Sequence, residues 1–140
     1  MKEDVAGYRL IGRRNVRDNN SWMHNHRRLV KGKDRCRLLM HPDDVAKEGW
    51  NEGMQVTITS RIGSISAELM PSTEVMPGVI SLPHGYGHGL EGTRSKVANS
   101  HAGVSCNDVT YEQLLDQRSG NAAINGVPLQ LSALALAPDR

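Results

Sequence analysis

Short stretches in which apolar and polar residues alternate recur along most of the chain. In one of them Val56 and Ile58 alternate with threonines, and this period of two is typical of a strand with one buried face. Such stretches predict strands at Tyr8 to Ile11, Arg37 to Met40, Gln55 to Ser60, Ile65 to Met70, Gly78 to Leu82 and Pro128 to Leu131. Several short strands at this spacing favour a compact β-barrel or sandwich.

Two pairs of residues predict turns between these strands. Ile62-Gly63 is typical of a hairpin, since glycine tolerates the positive φ of a tight turn. Pro77-Gly78 predicts a second turn, because proline fixes φ at the first central position and glycine accepts a left-handed φ at the next.

Helix signals are limited to two short segments. Pro42 and the two aspartates after it are typical of a helix start, and Gly49 would end that helix. A second helix is predicted over Thr110 to Asp116. The candidate caps of the second helix are Asn107, Asp108 or Thr110 at its start and Gly120 beyond its end. The chain is therefore predicted to be mainly β with short helices.

Length and charge narrow the possible classes of protein. A chain of 140 residues holds one sizeable core, and with no Phe it must be packed from aliphatic residues and Met. The net charge of +2 is too small for a protein whose whole surface holds nucleic acid. However, ten Lys and Arg residues and only two acids lie between Arg9 and Arg37.

Neither the chain ends nor the two cysteines indicate a functional site. No apolar run approaches the roughly 18 to 20 residues that span a bilayer, and no signal-peptide pattern is present, so we expect a soluble, cytoplasmic chain. Cys36 and Cys106 lack a CxxC partner and are expected to be buried thiols. We expect one domain over residues 8–132, a disordered tail at 1–7 and a flexible tail at 133–140.

Three loops carry the polar chemistry. The segment from Arg13 to Arg28 offers arginine forks for phosphate oxygens, Asn, Ser and His for a heterocycle edge, and Trp22 for stacking. Its alternative interpretation is a solvated basic loop whose Trp22 fills the end of the barrel. The segment from Pro83 to Gly89 has three glycines that permit close backbone approach, and its N–H groups suit an anion. The segment from Gly103 to Thr110 enters the second predicted helix, whose start suits an anion or a polar ring edge.

Metal binding and nucleophilic catalysis find little support. The histidines considered for a three-histidine metal site are His24, His26, His84, His88 and His101. Their spacing matches no known metal motif, and no thiolate or carboxylate lies at a metal-ligand spacing. No GxSxG elbow exists, and nothing orients His24 toward Ser21. We therefore expect no metal ligand and no catalytic residue in this chain.

Six pieces of the chain, taken in order, resemble a known family. They are Leu10-Ile11-Gly12-Arg13-Arg14, Asn20-Ser21-Trp22-Met23-His24-Asn25, Leu39-Met40-His41-Pro42-Asp43-Asp44, Gly53-Met54-Gln55-Val56, Val75 to His88 and Ser105-Cys106-Asn107-Asp108-Val109-Thr110. From Tyr8 to about Leu131 the chain resembles the C-terminal dinucleotide-binding domain of the molybdopterin oxidoreductases, which include formate dehydrogenases, nitrate reductases and dimethyl sulfoxide reductase. Tyr86 departs mildly from the pattern, since relatives more often have Trp there.

The resemblance implies a fold, a cofactor and a site. The fold is a double-psi β-barrel of the aspartate decarboxylase-like type. The cofactor is molybdopterin guanine dinucleotide, two copies of which hold one molybdenum or tungsten in the complete enzymes. The residues expected to bind it are Arg13, Arg14, Asn20, Ser21, Trp22, Met23, His24, Asn25, His84, Gly85, Tyr86, Gly87, His88 and Asn107.

The resemblance also implies that this chain depends on other domains for activity. In the family the metal-ligating Cys, selenocysteine, Ser or Asp and the iron–sulfur ligands belong to other domains, which are the expected partners. The isolated chain is therefore expected to be inactive. Two alternatives stay open at this point: a decarboxylase-like enzyme that cleaves its Gly63-Ser64 bond to form a pyruvoyl group, and an interaction module whose basic segment binds phosphate backbones.

Overall fold

The described part of the chain, residues 7–111, 113 and 115–134 of a computed structural model, contains six strands that close into a barrel. The strands are β1 (Tyr8–Arg13), β2 (Arg37–Met40), β3 (Gln55–Thr59), β4 (Ser64–Pro71), β5 (Val79–Pro83) and β6 (Val127–Ala133). The helices are α1 (Pro42–Glu48), α2 (Lys96–Asn99) and a 3-10 helix (Cys106–Val109). All six predicted strands are present, with bounds that differ by at most two residues at either end.

Strand order around the barrel is β1-β5-β2-β4-β3-β6. The pairs β1·β5 and β2·β4 are parallel, and the other four are antiparallel. This closed, mainly β arrangement confirms the predicted double-psi β-barrel. In the β1·β5 pair Arg13 lies opposite Pro83, and since parallel strands run in the same direction, the loops that follow them leave from the same end of the barrel.

The barrel interior is filled by the apolar residues of the alternating pattern. The most fully buried are Leu10, Leu38, Met40, Val56, Ile58, Leu69, Ile80, Leu82 and Leu129. Each such side chain contributes about 1.5–3 kcal/mol relative to an exposed one. The core is therefore aliphatic, as the composition predicted.

Both predicted turns are present, but the reason given for Gly63 was wrong. Residues 60–63 close the β3–β4 hairpin, with Ser60 N donating to Gly63 O at 2.9 Å. Gly63 lacks a positive φ; it is required instead because a Cβ there would lie 2.5 Å from the carbonyl oxygen of Asp108. Gly78 has φ +81° and ends its turn as predicted.

The first predicted helix is confirmed and the second is wrong. Helix α1 starts at Pro42, and Gly49 ends it with φ +71°. The described residues of the segment 110–116 form no helix, and Thr110 is already extended at φ −100° and ψ 146°. The short turn lies just upstream, in the 3-10 helix, where buried Val109 packs against the barrel.

The C-terminal strand extends into the predicted flexible tail. Ala133 belongs to β6, and Leu134 N donates to Gln55 O at 3.0 Å, so order extends past the predicted boundary at 132. The remainder of both predicted tails, residues 1–6 and 135–140, lies outside the described residues. Cys36 and Cys106 are buried and free, as expected, and burial raises the pKa of Cys36 to about 11. Within the described ranges, no helix is long and apolar enough to cross a membrane.

Candidate functional site

Three loops meet at the end of the barrel where β1 and β5 finish. The loop after β1 approaches the loop after β5 so closely that a Cβ on Gly85 would lie 2.6 Å from the carbonyl carbon of Asn20. The segment before the 3-10 helix joins them, because Ala102 O accepts from Gly87 N at 2.8 Å and from His88 N at 3.1 Å. The three segments singled out in the sequence thus form one surface.

A buried carboxylate ties these loops together. Asp18 is 1% exposed, and its Oδ1 accepts from Nε of Arg35 at 2.9 Å and also from Nη2 of that residue. Its Oδ2 accepts from the hydroxyl of Tyr86 at 3.2 Å. Neither Asp18 nor Arg35 was among the predicted site residues. The sequence feature that could have indicated Asp18 is that it is one of only two acids in a basic segment.

A histidine cluster lies next to this carboxylate. His24 is fully buried, its Nδ1 lies 2.8 Å from Nε2 of His88, and its ring lies 4.2 Å from that of Tyr86. The ring of His101 is 6.0 Å from that of His24. His24 Nε2 is 3.6 Å from Asp18 Oδ1, which is too long for a hydrogen bond. The cluster therefore holds the loops by one ring-to-ring hydrogen bond and by packing.

His24 and His88 are neutral at pH 7, because the pKa of each is lowered. Burial lowers the pKa of His24 below 6.5, although the carboxylate of Asp18 opposes the shift. Burial, and then the neighbouring His101, lowers the pKa of His88. The bond between them also requires at least one of the two rings to be neutral, since one ring nitrogen must accept while the other donates.

Acid is therefore expected to destabilise the fold. The unfolded chain binds protons at these histidines near pH 6.5, whereas the folded chain binds them only at lower pH, so the free energy of unfolding falls as the pH drops below 6.5. Urea unfolding at pH 7.5 and pH 5 measures the loss. His88→Gln should reduce the loss and His26→Gln, at an exposed position, should not. An equal loss in both variants would contradict this assignment.

Two residues predicted to bind the ligand use their side chains for hydrogen bonds to the backbone of this chain. The guanidinium of Arg13 donates to the carbonyl oxygens of Ser81 at 2.7 Å and Arg37 at 2.6 Å, and so links β1 to β5 and β2. Asn25 Oδ1 accepts from Val97 N at 3.0 Å and Ala98 N at 3.2 Å, and it caps α2. The side chains of both residues are thus already occupied by backbone partners.

Other predicted residues present their side chains to solvent. Arg14 and Asn20 are exposed, and Arg14 Nη1 donates to Asn20 Oδ1. Asn20 has φ +60°, a left-handed conformation that is uncommon outside glycine. Trp22 is 82% exposed, so the alternative in which it fills the barrel end is wrong. The exposed members of the predicted set, apart from Asn25 with its capping contacts, are Arg14, Asn20, Ser21, Trp22 and Asn107. The half-buried members are Arg13, Met23, His84, Gly85, Gly87 and His88.

The glycines of the second loop permit the close approach. Gly85 has φ +91° and Gly87 has φ +104°, both in the left-handed region. A Cβ on Gly87 would lie 2.8 Å from Cβ of Ser105. Any other residue at either position would push the loops apart.

The histidine cluster does not form a recognisable metal centre. His24, His88 and His101 come together as the sequence alternative required, but two of their nitrogens bond to each other. Across the described part of the chain, no group of three or more His, Cys, Asp or Glu residues has a metal-binding arrangement.

Known proteins share both sequence and fold with this chain. Residues 8–128 match the family described as "Molydopterin dinucleotide binding domain". A tetrathionate reductase subunit from Salmonella typhimurium is 28% identical over 114 residues, which are 69% of this chain and 11% of that protein. The molybdopterin-containing subunit of arsenate respiratory reductase from Chrysiogenes arsenatis is 28% identical over 120 residues, 80% of this chain and 14% of that protein.

A solved structure supports the fold. Acetylene hydratase from Pelobacter acetylenicus superposes with a TM-score of 0.76 at 18% identity, over 91% of this chain and 18% of that enzyme. The chain thus spans less than a fifth of each of these proteins. Because the family match covers most of its length, the chain belongs to the molybdopterin dinucleotide-binding domain family.

Proposed function

We propose that this chain binds part of a bis-molybdopterin guanine dinucleotide cofactor within a larger molybdopterin-dependent oxidoreductase. The metal-ligating residue and the electron-transfer centres lie on other domains of that enzyme, which are the partners of this one. The cofactor, when bound, supplies the molybdenum or tungsten centre at which substrate reacts. The chain itself contributes binding and orientation, and alone it turns over no substrate.

The observation that carries the proposal is the convergence of exposed polar groups where β1 and β5 end. Arg14 offers a cationic fork for a pyrophosphate oxygen, and Asn20 and Asn107 offer amides suited to a heterocycle edge. Gly85 and Gly87 take left-handed conformations that let their loop approach Asn20 and Ser105 on the same surface. This donor set fits a ligand with both phosphate and heterocycle groups.

The other interpretations lack such support. Gly63 O accepts from Ser60 N, and Ser64 Oγ lies 2.9 Å from Thr59 Oγ1. Both residues of the supposed cleavage pair are therefore explained by the β3–β4 hairpin. The basic segment is also partly engaged in the fold, since Arg13, Arg35 and Arg37 have backbone or carboxylate partners. A phosphate-backbone stripe would need those charges free.

Arg14→Ala is expected to weaken ligand binding without unfolding the chain. Loss of a charge-assisted hydrogen bond of about 1.5–3 kcal/mol lowers affinity about 10- to 150-fold. Stability should change by less than about 0.5 kcal/mol because the residue is exposed. Guanosine diphosphate serves as the probe, since it carries the guanine and the two phosphates of the cofactor. Quenching of Trp22 fluorescence reports binding, with Trp22→Phe to identify the signal.

Arg27→Ala is the matched control, because it removes the same charge from another exposed position of the loop. It should bind guanosine diphosphate nearly as the native chain does. Adenosine diphosphate should bind more weakly than guanosine diphosphate, since a guanine site leaves polar groups unpaired with adenine. Equal losses in both arginine variants, no guanine preference and a steep salt dependence together would instead favour a nonspecific phosphate-binding module.

A further inference from the structure

Cys106 and His84 form a pair at the edge of the proposed cofactor surface. Cys106 Sγ lies 3.1 Å from His84 Nδ1, and Cys106 is 4% exposed at the start of the 3-10 helix. The other acceptor near the sulfur, Asn107 Oδ1, is 4.0 Å away. His84 Nδ1 is thus the closest partner of this thiol.

The direction of this hydrogen bond follows from the chemistry of the two groups. Burial raises the pKa of Cys106, so the thiol keeps its proton at neutral pH. Burial, and then the charge of Arg14, lowers the pKa of His84, so the ring is neutral. A neutral imidazole nitrogen accepts well, whereas thiol sulfur is a weak acceptor. The thiol therefore donates to Nδ1, and the ring proton lies on Nε2.

The His84 ring is also fixed on its other side. It lies against Gly12, where a Cβ would come 2.7 Å from Cδ2 and closer still to Nε2. Gly12 N in turn donates to Asn125 Oδ1 at 2.8 Å. In the described part of the chain His84 Nε2 makes no hydrogen bond and is not among the fully buried polar atoms, so a ligand next to Arg14 can reach it.

We propose that Cys106 is a positioning residue whose thiol holds His84 as the Nε2–H tautomer, so that His84 donates a hydrogen bond to a pyrophosphate oxygen of the bound dinucleotide. The ligand in this proposal rests on the proposed function, whereas the tautomer is a property of the chain itself. An oxygen acceptor can be paired with a donor but not with a bare ring nitrogen. The thiol therefore determines whether His84 attracts or repels the ligand.

The tautomer is measured by nitrogen-15 NMR of the histidine rings at pH 7.5, with His84→Gln identifying the signals of His84. The expected pattern is a bare Nδ1 and a protonated Nε2 in the native chain. Cys106→Ser keeps this pattern because the hydroxyl also donates, and Cys106→Ala allows the Nδ1–H form to appear. A native His84 protonated at Nδ1 would overturn the proposal.

Infrared spectroscopy of the S–H stretch tests the hydrogen bond that the Cys106 thiol donates. Cys36→Ala, which removes the other buried thiol, leaves Cys106 as the source of the band. This band should lie below that of free cysteine and should move up when His84→Gln is added. A band that does not move contradicts the hydrogen bond and does not depend on any ligand.

Binding of guanosine diphosphate separates this proposal from the proposed function. Cys106→Ala should weaken it about three- to tenfold, the value of one neutral hydrogen bond, while Cys106→Ser and Cys36→Ala retain native affinity. Equal affinity in Cys106→Ala and the native chain would refute the positioning role alone. If the native chain fails to bind the probe while the tautomer is as expected, the proposed function is at fault and the Cys106–His84 pair stands.

Discussion

Asp18→Asn is expected to lower the free energy of unfolding by about 3 kcal/mol, the lower end of the range for breaking a buried ion pair. The Asp18 side chain is 2% exposed and its partner Arg35 is 18% exposed, so the change leaves a largely buried guanidinium without its counter-charge. The lower end applies because Arg35 keeps some contact with water. The Tyr86 hydroxyl can still donate to the amide oxygen of the variant.

Urea unfolding at pH 7 measures this loss, with Asp34→Asn as the control. Asp34 is the other acid of the basic segment and is exposed; its Oδ1 accepts from Cys36 N at 2.9 Å, a bond that an amide oxygen preserves. The control should change stability by less than about 0.5 kcal/mol. If the two variants lose similar amounts, Asp18 does not hold the loops together.

Local patterns were sufficient to predict the framework of the barrel. Alternation of apolar residues places strands such as β3, because an aliphatic core requires one face of each strand to be buried. Helix α1 was also predictable, since Pro42 and Gly49 act on residues next to them in sequence. The second helix was wrong because its signals were polar residues compatible with either a helix cap or a turn. Tertiary packing of Val109 decided between them.

The sequence predicted which loops form the site but not the side-chain contacts that join them. Asp18 contacts Arg35 across 17 positions and Tyr86 across 68, and His24 contacts His88 across 64. No local period encodes pairs at such separations. The loops were recognisable because arginines, amides and glycines are concentrated in them, but which side chains turn inward depends on the parallel β1·β5 pair.

The resulting site has two layers with different roles. The inner layer, Asp18, His24 and Tyr86, is buried and holds the loops. The outer layer, with Arg14 and Asn20 exposed, is the proposed ligand surface. Substitutions in the inner layer should therefore change stability first, and those in the outer layer should change binding first. Gly85 lies where the two layers meet, so it should affect both.

Gly85→Ala is expected to destabilise the chain and to abolish binding of guanosine diphosphate. Alanine at φ +91° costs about 1–2 kcal/mol in backbone strain. Its Cβ would also lie 2.6 Å from the carbonyl carbon of Asn20 and 3.0 Å from Ser21 N. Both of these atoms belong to the backbone, so no side-chain rotation relieves the clash. The clash therefore adds about 1–3 kcal/mol. The loop carrying Asn20 must then move away from the proposed cofactor surface.

Gly92→Ala separates strain from clash, because Gly92 has nearly the same φ of +86° but a Cβ there would meet nothing within 4 Å. The free energy of unfolding of Gly92→Ala should fall only by the cost of backbone strain, about 1–2 kcal/mol. This variant should bind the probe normally. Urea unfolding and Trp22 fluorescence measure both variants, and the difference in their unfolding free energies isolates the contact between the two loops. Equal losses of stability would mean that the loops are not held as close as Gly85 and Asn20 indicate. Retained binding in Gly85→Ala would mean that the position of Asn20 does not matter to the ligand.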